Sequence, residues 1–177
     1  VHKMYLLTSS PLDAKNALNI VAGLCSKKEY CLQEIREKLK KWDITEKDTA
    51  RILDFLIQNK FIDENRFAFA YARDKFRFNK WGKQKIILML KQKQIPACII
   101  RQAVETLDKK EYDTACLNLL LQKKKSLKNE DPLKDKNKLI RFALSRGFDY
   151  DTIRNCLHHP EFRTGYISPN ENGSWDE

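Results

Sequence analysis

Apolar residues recur at three- and four-residue spacing along most of this chain, and the run from 61 to 90, FIDENRFAFAYARDKFRFNKWGKQKIILML, organises the rest. Asp63 and Glu64 suit a helix start, where a side-chain oxygen accepts a free backbone N–H and negative charge is favoured. Phe67, Ala70, Tyr71 and Phe78 follow at i, i+3, i+4 and i+11. They predict one buried stripe, which Phe69, Ala72 and Phe76 widen toward a second partner. Trp81-Gly82 then breaks the helix, and a new one begins with Lys83 and Lys85. Upstream, Ser10 as cap, Pro11 in the first turn and Asp13 as a reciprocal carboxylate predict another helix start. Ala14, Ala17, Leu18, Val21 and Leu24 or Cys25 are its apolar stripe. Leu32, Ile35 and Leu39 mark a second helix; a third, capped by Thr45, is expected to bury Ile52, Leu53, Leu56 and Ile57.

The pattern repeats. Ile35 and Leu39 precede Ile44 by nine and five residues, and Thr49, Ile52, Leu53 and Leu56 follow it. Ile86, Leu90, Ile95, Ile100, Ala103, Val104 and Leu107 keep the same spacing, as do Leu139, Ala143, Phe148, Ile153, Cys156 and Leu157, which lack only the last position. Offsets of 51 and 53 residues between Ile44, Ile95 and Phe148 define an internal repeat of three-helix units. No stretch of useful length alternates with period two, so strands are not expected. The predicted fold is all-α: three tandem three-helix repeats at 10–60, 61–109 and 110–158, then a polar acidic tail at 159–177 with little core of its own. Within the polar stretch 123–138, Asp131-Pro132 reads as a helix start.

Charge changes the picture next. The 177 residues carry a formal net charge of +10, distributed unevenly: +2 over 1–72, +7 over 73–94, −1 over 95–122, +6 over 123–148 and −4 over 149–177. The first basic segment holds Arg73, Lys75, Arg77, Lys80, Lys83, Lys85, Lys91 and Lys93 against Asp74 alone, and the second includes Arg141 and Arg146. A charge run is usually a solvated helix face, but this density exceeds what solubility requires. It points to a polyanionic partner, nucleic acid or an acidic protein surface. The aromatics at 67, 69, 71, 76 and 78 are expected in the core, and Trp81 as a seal against the next repeat, a role Trp42 plays in the first.

Catalytic chemistry finds no support. The paired acids are explained by helix starts, no nucleophile has a base beside it, and no glycine-rich phosphate loop is present. Five cysteines, Cys25, Cys31, Cys98, Cys116 and Cys156, form no CxxC pair and read as small core residues in a reducing compartment. His158-His159 near Cys156 lacks a second ligand pair, so neither metal nor cofactor is expected. No apolar run approaches the roughly 18 residues of a membrane span and no signal peptide opens the chain, so a soluble cytoplasmic protein is expected.

Three motifs in order carry a specific resemblance: IDENRFAFAYARDKFRFNKWG, then IILMLKQKQIP, then LIRFALSRGFDYDTIRNCL. Together they resemble the RecX family, regulators of the RecA recombinase, over residues 14 to 157. The family pattern of an acidic helix start, a Phe-Ala pair, a basic helix end and a glycine is met by Asp63, Phe67-Ala68, Arg73 and Gly82, with Tyr71 and Trp81 in the same run. Its Arg-Gly-Phe exit is met by Arg146-Gly147-Phe148. The chain departs from it at Lys93-Gln94-Ile95, where the family often has glycine before the apolar residue, and in the acidic tail. The resemblance implies an elongated, curved array of repeats, a monomer that lies in the groove of a RecA-type recombinase filament on DNA. It also implies that strand exchange and ATP turnover are limited, within recombination, repair and the SOS response. DNA is then touched directly or through the filament.

The rival reading is a sequence-independent DNA-binding protein of helix-turn-helix type. A groove-reading helix should cluster Arg, Lys, Asn or Gln on its exposed face. Helix 45–58 instead carries Glu46, Asp48 and Asp54 beside Lys47, Arg51 and Gln58, and helix 96–107 has only Arg101 and Gln102 beside Glu105.

Overall fold

A computed structural model of the chain describes residues 12–127 and 131–163. These residues form ten helices and no strand: α1 (Ala14–Cys25), α2 (Leu32–Lys41), α3 (Glu46–Gln58), α4 (Glu64–Arg77), α5 (Lys83–Gln92), α6 (Ala97–Glu105), α7 (Lys109–Lys125), α8 (Pro132–Arg146), α9 (Tyr150–Leu157) and the short α10 (Pro160–Arg163). The predicted all-α architecture of three-helix repeats is met by α1–α3, α4–α6 and α7–α9. By compactness the chain divides into two units, Val1–Tyr71 with Leu90–Ile100, and Ala72–Met89 with Arg101–Glu177.

Helix starts share one device. The side chains of Asp13, Thr45, Asp63, Asp108, Asp131 and Asp149 each accept the backbone N–H three residues on, at 2.7–3.1 Å. These bonds satisfy donors that the first helical turn leaves without a partner. Asp13 is therefore the cap of α1 rather than a reciprocal partner inside it, and the expected Ser10 cap and Pro11 lie outside the described residues. The start at Asp131-Pro132 is as predicted.

The exits of the three middle helices also match. Asp43, Gln94 and Gly147 adopt left-handed backbone with φ of 55°, 59° and 88°. The next residue's N–H then reaches back to the same carbonyl position: Ile44 to Leu39 at 3.1 Å, Ile95 to Leu90 at 3.1 Å, Phe148 to Ala143 at 3.2 Å. This ending satisfies the last carbonyls of a helix and suits glycine best. Gln94 takes the conformation without glycine, so the departure from the family pattern leaves the turn itself intact.

The first unit is built on Ala17, Val21, Tyr30, Ile35, Leu39, Ile52, Leu53, Leu56 and Ile62, all buried, with Ile44 and Trp42 packed partly against them. Ile57, expected inside, is 45% exposed; the fourth inward position of α3 is Thr49 instead. On the helix wheel Thr49 falls between Leu53 and Leu56, so Thr49, Ile52, Leu53 and Leu56 share a stripe about 100° wide, which Ile57 would widen to about 140°, past the surface that α1 and α2 present. In the second unit Tyr112, Cys116 and Leu120 of α7, Leu139 and Ala143 of α8, Phe148, and Ile153 and Cys156 of α9 are buried together with Phe76. The region expected to be tail begins with α10, whose Phe162 is buried and sits 5.1 Å from the Lys124 ammonium. Residues 164–177 lie outside the described residues.

The cysteines divide. Cys31, Cys116 and Cys156 are buried as expected, Cys25 is half-buried and Cys98 is exposed. Cys31 also precedes α2 in a capping arrangement with Glu34.

Gln94→Gly should raise stability by about 0.5–1 kcal/mol, because it relieves a left-handed φ at a residue with a Cβ. Urea unfolding checks this: the midpoint moves up with the slope unchanged if the turn is the cause, and an unchanged or lower midpoint refutes it.

Candidate partner-binding surface

The basic corner of the second unit rests on a backbone crossing. The N–H of Gly82 donates to the Arg146 carbonyl at 2.8 Å and that of Gln84 to the Gly147 carbonyl at 3.0 Å. Between them the Lys83 N–H donates to the Tyr112 hydroxyl at 3.1 Å. Three free donors at the start of α5 are thus satisfied by the exit of α8 and one phenol. The approach is so close that a Cβ on Gly82 would collide with the carbonyl of Gly147 and the nitrogen of Phe148, and one on Gly147 with Lys85. The family-motif residues Gly82, Gly147 and Phe148, distant in sequence, meet here.

Tyr112 is the pivot. Its ring lies between Phe76, 5.9 Å away, and Phe148, 5.0 Å away, and its hydroxyl donates to Asp149 Oδ2 at 3.4 Å. Burial pushes the phenol well above its ordinary value, and the Asp149 charge adds to this although the Lys83 N–H pulls it down. Burial also pushes the Asp149 carboxyl up, but hydrogen bonds from the Thr152 N–H and hydroxyl and from Tyr112 outweigh it and hold the group below the usual carboxylate range. Sequence reasoning missed Tyr112. The available signal was the series Tyr112, Cys116, Leu120 at four-residue spacing after the Asp108 cap.

Around this support the cations fall into two kinds. Four are half-buried on aromatic faces: Lys75 and Lys85 lie 5.3 and 4.8 Å from the centre of Trp81, Lys83 5.1 Å from Tyr112, and the Arg146 guanidinium 5.5 Å from Phe142. Lys85 also donates to the Ser145 carbonyl at 3.5 Å. Trp81 is accordingly half-buried and bracketed by ammonium groups. The other kind is exposed: Arg73, Arg77, Lys80 and Arg141. Arg73 pairs loosely with Asp74 at 3.4 Å, whereas among the described residues Arg77 and Lys80 have no ion-pair partner. Both line an open cleft of about 430 Å³ between the end of α4 and α7, together with Lys110, Glu111, Thr114 and Asn118. Three cations against one carboxylate make the cleft suited to phosphate or carboxylate groups.

Phe78 belongs to this surface and not to the core. It is 79% exposed, one residue past the end of α4, while Phe76 takes the inward position by stacking on Tyr112. The buried stripe of α4 is Phe67-Ala68, Ala72 and Phe76, with Ala70 and Tyr71 only half-buried.

Lys91 and Lys93 belong to the first unit. Lys91 is exposed. Lys93 is half-buried, bonded to Glu34 at 2.5 Å and 5.9 and 5.8 Å from the ring centres of Phe67 and Tyr71. Burial pushes its ammonium down, but the hydrogen bond and charge of Glu34 outweigh this and raise it. Asp63 caps α4 in the same unit.

Among the described residues no cluster of three or more His, Cys, Asp or Glu side chains is placed to hold a metal ion, and no helix is long and apolar enough to cross a membrane. Fold and surface define an all-helical protein of tandem three-helix repeats with a cationic corner. Family models described as the second and third three-helix domains of RecX match residues 63–104 and 111–157. The Regulatory protein RecX of Prosthecochloris aestuarii is 34% identical over 150 residues, an alignment covering 84% of this chain and 95% of the relative. That of Clostridium botulinum strain Eklund 17B is 31% identical over 127 residues, covering 71% of this chain and 59% of the relative, so the match spans about three-fifths of that longer protein. A crystal structure of RecX from Lactobacillus salivarius has the same fold, with a TM-score of 0.73 at 22% identity, covering 85% of this chain and 97% of that one. The chain belongs to the RecX family of regulatory proteins.

Two predictions follow from the crossing. Gly82→Ala should cost about 3 kcal/mol, since its methyl group meets backbone that has no free side chain to move aside. Tyr112→Phe keeps the ring contacts but leaves the Lys83 N–H without its acceptor; the expected loss is about 1–3 kcal/mol in urea unfolding, and a neutral result would remove the phenol from the junction. Asp149 gives a third. Its folded value is depressed, so its contribution is fully present above the unfolded carboxylate value of about 4 and is lost as pH falls through the folded one. Asp149→Asn should therefore flatten the acid limb of the stability profile below about pH 4, and an acid limb of unchanged steepness would refute this.

Proposed function

We propose that this protein regulates recombination and DNA repair by binding a RecA-type recombinase filament, and that it restrains strand exchange and ATP hydrolysis without catalysing a reaction itself. Family membership supports the regulatory role. The observation that carries the choice of surface is the exposed cationic corner, in which Arg77 and Lys80 line an open cleft and have no ion-pair partner among the described residues. Arg73 extends that corner along α4, and Lys75, Lys83, Lys85 and Arg146 reinforce its potential from their aromatic seats. Lys91, Arg141 and Lys93 are secondary candidates, Lys93 the least available because it holds Glu34.

Charge-assisted contacts of modest strength, distributed over tandem repeats, suit a partner that itself repeats. Each contact raises the effective concentration of the next, so neighbouring filament subunits are bridged and the movements strand exchange requires are opposed. In this reading the repeats are 10–60, 61–109 and 110–158, the protein acts in the cytoplasm as a monomer, and DNA is reached directly or through the filament.

The test is single-strand-dependent ATP hydrolysis by the cognate recombinase, titrated with this protein beside its binding to naked single and double strands in matched salt. Inhibition well below the amount that coats the DNA is expected. Inhibition only at saturation of naked DNA would replace the filament reading with competition for DNA. The combined variant Arg73→Glu, Arg77→Glu, Lys80→Glu should lose inhibition while keeping its helical circular dichroism, and undiminished inhibition would remove the corner from the mechanism.

A further inference from the structure

Two thiols inside the third repeat meet across a helix pair, and neither the fold nor the proposed surface requires their chemistry. Cys116 on α7 is fully buried and Cys156 in the last turn of α9 is 7% exposed. The Cys156 thiol donates to the Asp113 carbonyl at 3.6 Å. Residues 113 and 116 are three apart on α7 and share a face, so the Cys156 sulfur lies over the face that carries Cys116. The two thiols lie close enough for each to shift the acidity of the other. The Cys116 side chain holds Cys156 below the ordinary thiol value, while Cys156 and burial push Cys116 up. The less completely buried cysteine therefore also carries the larger thiolate fraction.

We propose that Cys116 and Cys156 are a reversible thiol–disulfide pair, closed by a hydroperoxide and reopened by a dithiol reductant, which covalently joins the first and third helices of the third repeat. In the closing reaction with hydrogen peroxide, the Cys156 thiolate attacks one oxygen and the O–O bond breaks. The departing hydroxide takes the former thiol proton as water and leaves a sulfenic acid on Cys156. The Cys116 sulfur then attacks the Cys156 sulfur; the S–O bond breaks, the S–S bond forms, and hydroxide leaves with the Cys116 proton as a second water. Two thiols lose two electrons and two protons, and one peroxide becomes two waters. In the reverse direction a dithiol attacks one sulfur, passes through a mixed disulfide, becomes a disulfide itself and returns both protein thiols. Cys98, exposed and in the first unit, takes no part.

The experiment exposes the full chain, as wild type and as Cys98→Ser, to stoichiometric hydrogen peroxide, then alkylates, digests with trypsin without reduction and weighs the peptides. The expected product is Glu111–Lys123 joined to Asn155–Arg163, two hydrogen atoms lighter than the two thiol peptides together. Two fewer thiols should titrate in the unfolded protein, both should return with dithiothreitol, and the oxidised form should melt several degrees higher. Cys156→Ser should leave Cys116 alkylated and unlinked. Recovery of the two wild-type peptides separately, whether alkylated or over-oxidised, or linkage only through Cys98, would overturn the proposal. Because the wild-type digest decides the matter, poor folding of a variant does not blunt the test.

Discussion

The second unit depends on two glycines that touch. Where the start of α5 meets the exit of α8, backbone carbonyls of Arg146 and Gly147 fill the hydrogen-bonding needs of Gly82 and Gln84, and no side chain fits between. The carbonyl end of one helix thereby faces the N–H end of another, so their end charges attract. Tyr112 completes the junction from α7, and through Asp149 ties it to the cap of α9. Four elements are held at one point by five hydrogen bonds, which is why the lysines that begin α5 keep a defined position.

That position decides what the basic segment is. Read as charge alone, residues 73–94 are one cationic block of net +7. In space, Lys75, Lys83 and Lys85 lie on indole and phenol faces, Lys93 is bonded to a carboxylate, and Arg77 and Lys80 extend into an open cleft. A cation on an aromatic face keeps its charge but loses freedom, so it contributes field more than grip. The groups at the cleft retain both.

Much of the fold was legible because periodicity and turn chemistry agree. The spacing around Ile44, Ile95 and Phe148 marks positions that are buried in the structure apart from Ile44 and Leu157, which are half-buried. What escaped is what spacing cannot encode. Phe78 keeps the angular register of Phe67, yet α4 ends before it and it is exposed. The step from Phe67 to Phe78 describes direction around an axis, not how far the neighbour extends. Tyr112 escaped because its importance lies in a hydroxyl that reaches two segments far away in sequence. Gly82 and Gly147 were readable as glycines at helix boundaries, but their mutual contact is a tertiary fact.

The three left-handed exits separate two things that glycine does. Asp43 and Gln94 perform the same turn as Gly147, with the same returning hydrogen bond, so the conformation tolerates a side chain at modest cost. At Gly147 the backbone of α5 occupies the place where a Cβ would stand. Two of the repeats' three helix exits thus accept any residue that tolerates left-handed backbone, while the third is closed to every side chain, so the same turn is a matter of composition in two repeats and of space in the other.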